Sequence, residues 1–315
     1  MTDPAALVGE ARTGDRRALA RLVSVVEAGG DDARAVGAAV YPFTGAAYTV
    51  GITGAPGAGK STLTGRLLVS VRETGDAVGV LAVDPSSPFT GGAILGDRIR
   101  MQDHATDPGV FIRSMATRGH LGGLSLAVPD AARVLDAAGL PWIVIETVGV
   151  GQVEVEIVAA ADTTVVVVNP GWGDAVQAAK AGLMEIADVF VLNKADRAGV
   201  DDTERDLLTV QGLAGDRGWV PPVVRTVATE GRGTAALWDA VRAHRVHLET
   251  TGALARRRAD RLRDEVRAIA RARAAAEADG RCTGVAFEAL VARVLARETD
   301  PYAAAAQVVG PVGDS

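Results

Sequence analysis

Cysteine occurs once in this chain of 315 residues, at Cys282. That excludes a disulfide framework and a cysteine-based metal centre. Histidine is nearly as scarce, at positions 104, 120, 244 and 247. Only His244 and His247 have helix-neighbour spacing, which reads as a solvated helix face rather than a metal site. Aromatic residues make up 4%, so the core must be built from Ala, Val, Leu and Ile. No apolar run approaches the length of a membrane span, and Thr163 to Val168 reads as a buried strand. The N-terminus lacks the apolar stretch of a signal peptide and its mixed acids argue against a transit peptide, so a cytoplasmic location is expected. Net charge is −6, from 33 basic and 39 acidic residues. Acids interleave with the arginines of 256–273, and neither a nucleic-acid nor a membrane partner is expected.

Lysine is the most informative scarcity. The 33 basic residues include only Lys60, Lys180 and Lys194. An ammonium is more compact and more strongly hydrated than a guanidinium. Positions that keep lysine in an arginine-rich chain are therefore candidates for a site.

Two of the three lie in motifs. Gly54-Ala55-Pro56-Gly57-Ala58-Gly59-Lys60-Ser61-Thr62 fills the phosphate-loop pattern GxxxxGK followed by Ser or Thr. A strand-like stretch precedes it and a helix-like one follows, the context that gives the pattern a mechanism. Glycine lets successive N–H groups curl around phosphate oxygens, and the helix aims its positive end at the same charges. Lys60 would reach the outer phosphates and the Ser61 hydroxyl would hold Mg²⁺. Asn193-Lys194-Ala195-Asp196 follows a second strand-like run. The Asp196 carboxylate can accept from both N1–H and the 2-amino group of guanine, an arrangement adenine does not offer. The stem of Lys194 can cover the base, and Asn193 can tie its loop to the phosphate loop. Guanine over adenine, as GTP or GDP, is therefore expected.

Between these motifs the chain alternates strand and helix, with strands expected at 48–53, 78–83, 110–113, 142–146, 163–168, 188–192 and 222–227. This is the pattern of a mainly parallel sheet with helices on both faces, a P-loop NTPase architecture whose ligands bind at the carboxyl ends of the strands. There stand Asp84, which either helps place Mg²⁺ or caps a turn before Pro85, and Glu146, a Walker-B-like carboxylate. Gly149 follows Glu146 in an ExxG pattern and would sense the γ-phosphate. Val150 stands where Ras-like GTPases place a water-orienting glutamine, and Gln152 could replace it only after a rearrangement. After the last strand, the N–H groups of Val227 and Ala228 would reach guanine O6. Arg113 and Arg118 are expected in Gly-rich loops.

The outer regions are helical in pattern. Residues 4–28 read as two helices ending at Gly29-Gly30-Asp31-Asp32. Residues 253–278 read as one long helix, and about 285–297 as another. The expected division is an N-terminal helical extension (1–45), a nucleotide-binding domain (46–248) and a C-terminal helical arm (249–315).

Taken together, the phosphate loop, Asp84-Pro85-Ser86-Ser87-Pro88, Gly91 to Arg98, Arg118 to Leu124, Glu146 to Gln152 and Asn193 to Asp196 resemble the MeaB/ArgK GTPases over nearly the whole chain. The resemblance implies a GTP-hydrolysing chaperone that gates cofactor loading or protection of an adenosylcobalamin-dependent acyl-CoA mutase such as methylmalonyl-CoA mutase. A cobalamin adenosyltransferase is a further implied partner, and the C-terminal arm is implied to join a homodimer. It also implies Mg²⁺ and switching roles for Asp84, Asp97 and Glu146, a switch role for Arg98 and Arg113, and a mutase-facing switch loop running from Gly171 to Gln177 and Lys180. Lys180 reads equally well as a helix-surface residue. Arg98 stands where the family commonly has lysine, and Val227 replaces serine. Two alternatives share parts of the pattern. A GTP-dependent metallochaperone should show a Cys/His metal site, and an ATP-dependent kinase linked to arginine or ornithine transport should not carry NKxD.

Overall fold

The computed structural model describes residues 3–85, 104, 106–117, 127–147, 161–171, 186–213 and 218–310. They fall into two compact units, Met1–Leu254 and Ala255–Ser315.

The first unit is organised by seven strands: β1 (Tyr48–Gly54), β2 (Val78–Pro85), β3 (Val110–Thr117), β4 (Trp142–Thr147), β5 (Thr163–Val168), β6 (Val189–Asn193) and β7 (Val223–Thr226). They form one parallel sheet in the order β3-β2-β4-β1-β5-β6-β7. The central strands β1, β4, β5 and β6 are rich in β-branched residues and almost wholly buried, as strands covered on both faces must be. Alternate side chains then sort by face. Val50, Ile52, Val144 and Val165 pack on Leu63, Leu67 and Leu68 of α4 (Lys60–Glu73), and on Leu237 and Val241 of α7 (Thr234–Thr250). Leu81, Val83, Ile143 and Ile145 pack the other way, on α5 (Ala127–Ala137) and the N-terminal helices. Val166, Phe190 and Leu192 meet Leu207 of α6 (Val200–Leu213). Each fully buried leucine here is worth about 2 kcal/mol of apolar transfer.

The N-terminal extension has three helices rather than the two expected: α1 (Pro4–Arg12), α2 (Arg16–Ala28) and α3 (Gly30–Val40). Gly29 and Gly30 were read as a stop. They are a tight joint instead, with φ of 76° and 80°, and Asp31 and Asp32 occupy the first turn of α3. Acids there favour a helix start through the backbone dipole. Leu19, Leu22, Val23 and Val26 bury one face of α2 in the sheet-side core. Arg16 extends from the same helix to the carbonyls of Pro108 (3.0 Å) and Val110 (2.6 Å).

The second unit holds α8 (Ala253–Arg281) from Ala255 onward, α9 (Gly284–Leu295) and α10 (Pro301–Val309). The last helix was not anticipated; Asp300 caps it by accepting from the N–H groups of Tyr302 and Ala303. No residue of α8 or α9 is buried. Leu262, Val266 and Ile269, at one-turn spacing on α8, are all exposed. No helix among the described residues is long and apolar enough to cross a membrane.

Candidate nucleotide-binding site

Residues 54–59 turn sharply from β1 into α4 because three glycines adopt φ values other residues avoid: Gly54 (140°), Gly57 (73°) and Gly59 (94°). Two of them are also required by space. A Cβ on Gly54 would lie 2.0 Å from the Val167 carbonyl oxygen, and one on Gly59 would lie 2.4 Å from Asn193 Nδ2. A Cβ on Gly57 would meet nothing within 4 Å. The loop is thus tight against the sheet and open on its outer curve, the shape a phosphate group needs. Gly59 caps α4 with no side-chain hydrogen bond, so the helix start presents its backbone donors.

Lys60 is buried, and its Nζ donates to Gly54 O at 2.6 Å and Ala55 O at 3.1 Å. The chain thereby holds the ammonium inside the loop's own curve. Ser61 donates its hydroxyl to Glu146 Oε1 at 2.5 Å, with Glu146 fully buried at the carboxyl end of β4. Two hard oxygen donors held together beside a phosphate loop suit Mg²⁺ in chemistry and in number, since this ion keeps most of its water. Thr147 continues the ledge, 3.3 Å from the Thr53 hydroxyl.

The base-side loop is joined to the phosphate loop at two points. Asn193 Nδ2 donates to Ala58 O at 2.8 Å, and Lys194 Nζ donates to Gly57 O at 2.7 Å. Lys194 adopts the left-handed region (φ 57°), which turns the chain so that Asp196 is exposed. Asn193 Oδ1 in turn accepts from Thr226 Oγ1 (3.0 Å) and Ala228 N (3.1 Å). The Val227 N–H donates to Arg232 O at 3.0 Å. Of the N–H groups expected to reach guanine, that of Val227 therefore braces its own loop here and that of Ala228 ties it to Asn193.

Thr226 and Arg66 were not singled out from the sequence. Thr226 orients Asn193, and Arg66 on α4 donates to Thr229 O at 3.1 Å. Neither lies in a motif, and both act on partners distant in sequence. Arg113 was expected in a loop but lies within β3, where it pairs with Glu27 of α2 at 2.6 Å. His244 was read as part of a solvated helix face and is instead fully buried. Asp97, Arg98, Gly149, Gln152, Gln177 and Lys180 lie outside the described residues, as does the side chain of Asp84.

Known proteins are similar to this chain over most of its length. Residues 19–281 match the family described as methylmalonyl-CoA mutase-associated GTPase MeaB. A Pyrococcus abyssi protein, named only as a candidate GTPase, is 53% identical over 307 residues, covering 96% of this chain and 95% of that one. The mouse methylmalonic aciduria type A homolog, mitochondrial, is 36% identical over 216 residues, 67% of this chain and 52% of its own length. Among solved structures, that of an LAO/AO transport system kinase superposes with a TM-score of 0.73 at 25% identity, covering 98% of this chain and 97% of that one. The chain belongs to the MeaB family of P-loop GTPases.

Proposed function

We propose that this GTPase uses GTP binding and hydrolysis, with Mg²⁺, to gate cofactor loading or protection of an adenosylcobalamin-dependent acyl-CoA mutase such as methylmalonyl-CoA mutase. The observation that carries the reading is the double tie between the two loops, Asn193 to Ala58 O and Lys194 to Gly57 O. Such a tie makes phosphate and base recognition one event, so the nucleotide state is felt across the whole site. The family's description supplies the mutase.

In this reading the backbone of Gly54 to Thr62 cradles the phosphates, Lys60 turns to the outer ones, and Asp196 reads guanine. Ser61 and Glu146 would hold Mg²⁺, joined by Asp84 and Asp97. The ion's contribution is to neutralise charge on the transferred phosphoryl group and its leaving group. Gly149 senses the γ-phosphate. Val150 cannot orient a water, so hydrolysis is slow alone and is completed when a partner rearranges the loop bearing Gln152. Arg98, Arg113, Gln177 and Lys180 belong to the switching and partner-facing set. The exposed stripe Leu262, Val266 and Ile269 supports a homodimer joined through the C-terminal arm. A cobalamin adenosyltransferase is a second partner, and the cytoplasm is the compartment.

Single-turnover GTP hydrolysis with and without the cognate mutase tests this. Acceleration by the mutase is expected, and fast hydrolysis indifferent to the mutase overturns the gating. Asp196→Asn should move base preference from guanine toward xanthine, because an amide donates where the carboxylate only accepted. A wild-type protein that binds ATP as well as GTP would remove the base-reading argument.

A further inference from the structure

Asp196 occupies the turn between β6 and α6, and on both sides of it a tether leads to β7. On the near side, Ala195 donates its N–H to Thr226 O at 3.0 Å. Within the turn, Arg197 N donates to Lys194 O at 3.0 Å. On the far side, in the first two turns of α6, Asp201 Oδ1 lies 2.7 Å from Arg225 Nη2, and Glu204 pairs with the same guanidinium nitrogen. Arg225 itself stands in β7, opposite Leu192 of β6 and next to Thr226, which orients Asn193. Its own carbonyl is packed so closely that a Cβ on Gly233 would come within 2.1 Å of it. The strand carrying Arg225 therefore has little room to move.

We infer that Arg225 is a positioning residue for guanine recognition: by gripping Asp201 and Glu204 it fixes the start of α6, and with it the far side of the turn that presents Asp196. This rests on the guanine reading proposed above. Three features support a positioning role over a merely stabilising one. The Arg225 side chain is 42% exposed, and an ion pair so open to water adds little to global stability. The two acids converge on one guanidinium, which restrains the direction of the helix start as well as its distance. Finally, a carboxylate that must accept two hydrogen bonds from one base edge tolerates little displacement, since geometry as well as charge sets the gain.

The discriminating measurement is the ratio of GDP to IDP affinity. Hypoxanthine lacks the 2-amino group, so IDP makes only one of the two hydrogen bonds to Asp196. Arg225→Ala should weaken GDP about fivefold and IDP, which keeps only its N1–H bond to Asp196, by less, which narrows the ratio. Arg225→Lys should restore part of it, because an ammonium can still reach the acids without the guanidinium's planar fork. A loss of stability alone would lower both affinities together. An unchanged ratio in folded Arg225→Ala overturns the inference while the guanine reading stands. A wild type that fails to prefer GDP over IDP and ADP overturns both. Should Arg225→Ala not fold, Asp201→Asn combined with Glu204→Gln removes the grip from the other side, and an unchanged ratio there overturns the inference equally.

Discussion

At the carboxyl ends of β1, β4 and β6, Lys60, Glu146 and Asn193 are buried against loops whose glycine backbone leaves an open curve. At the amino ends of the same sheet, four polar side chains are buried against one another. Tyr48 OH lies 2.7 Å from Thr163 Oγ1, which lies 2.8 Å from His244 Nδ1, and His244 Nε2 lies 3.3 Å from Asp188 Oδ1. Taken as side chains alone, Thr163, His244 and Asp188 could pass for a nucleophile, a base and an acid. Thr163 and His244 have no exposed surface, and Trp219 covers the histidine ring at 4.9 Å. No substrate can reach them. Both ends carry buried polarity, and access is what separates a site from a structural network. The amino end is closed by Trp142, Trp219 and Trp238, whereas the carboxyl end is opened by glycine.

Removing the glycine that lets the phosphate loop lie tight against β5 should have the largest effect. Gly54→Ala places a Cβ 2.0 Å from a backbone oxygen of β5, at a φ of 140°. Neither strand can yield without losing the ladder, so a loss of about 4 kcal/mol or more is expected, read by urea or thermal unfolding. A well-folded alanine variant with intact nucleotide binding would show that the close approach is not needed.

His244→Leu strikes the closed end. Thr163 and Asp188 would keep their burial and lose a shared partner, at a cost of about 3 kcal/mol. Base preference among nucleotides should be unchanged, because the network lies at the opposite end of the strands. A variant with normal stability and altered base preference would reverse the roles assigned to the two ends.

Lys60→Ala should do the converse. Nucleotide affinity is expected to fall about 100-fold, the loss of one strong charge-assisted contact to phosphate. Without nucleotide, its unfolding midpoint should move less than that of His244→Leu. Unchanged affinity in the folded variant would remove Lys60 from the site.

The open end was legible in the sequence and the closed end was not, for a physical reason. A phosphate loop is made by neighbouring residues, so Gly54 to Thr62 carry their geometry in their order. The strands were legible too, since runs such as Thr163 to Val168 are β-branched throughout and too short to be helices. The Tyr48–Thr163–His244–Asp188 network joins β1, β5, α7 and the residue ahead of β6, and no spacing records it. The Gly29-Gly30 joint misled because glycine pairs serve equally as stops and as sharp turns. Asp300 and Pro301, by contrast, do spell a helix start, a capping acid followed by proline at the first helical position.

The smallest effect is expected where the amino end meets solvent. Asp107, ahead of β3, accepts from Arg72 Nε at 2.9 Å and from Gly109 N at 2.8 Å. The Arg72 hydrogen bond, then that of Gly109, holds its carboxyl below the ordinary value of 3.8. A carboxyl lowered on folding contributes stability that is present above its unfolded value and is lost as pH falls through 3.8 and then through the folded value. Asp107→Asn should therefore be slightly less stable than wild type near neutral pH, by less than His244→Leu. The two proteins should converge once the pH lies well below 3.8, where the wild-type carboxyl is protonated as well. Added salt should shrink the neutral-pH difference, because the pair is partly exposed and screened. A gap that stays constant from neutral to acid pH would mean that Asp107 acts through shape and not through charge. The open edge of the amino end would then resemble its closed interior.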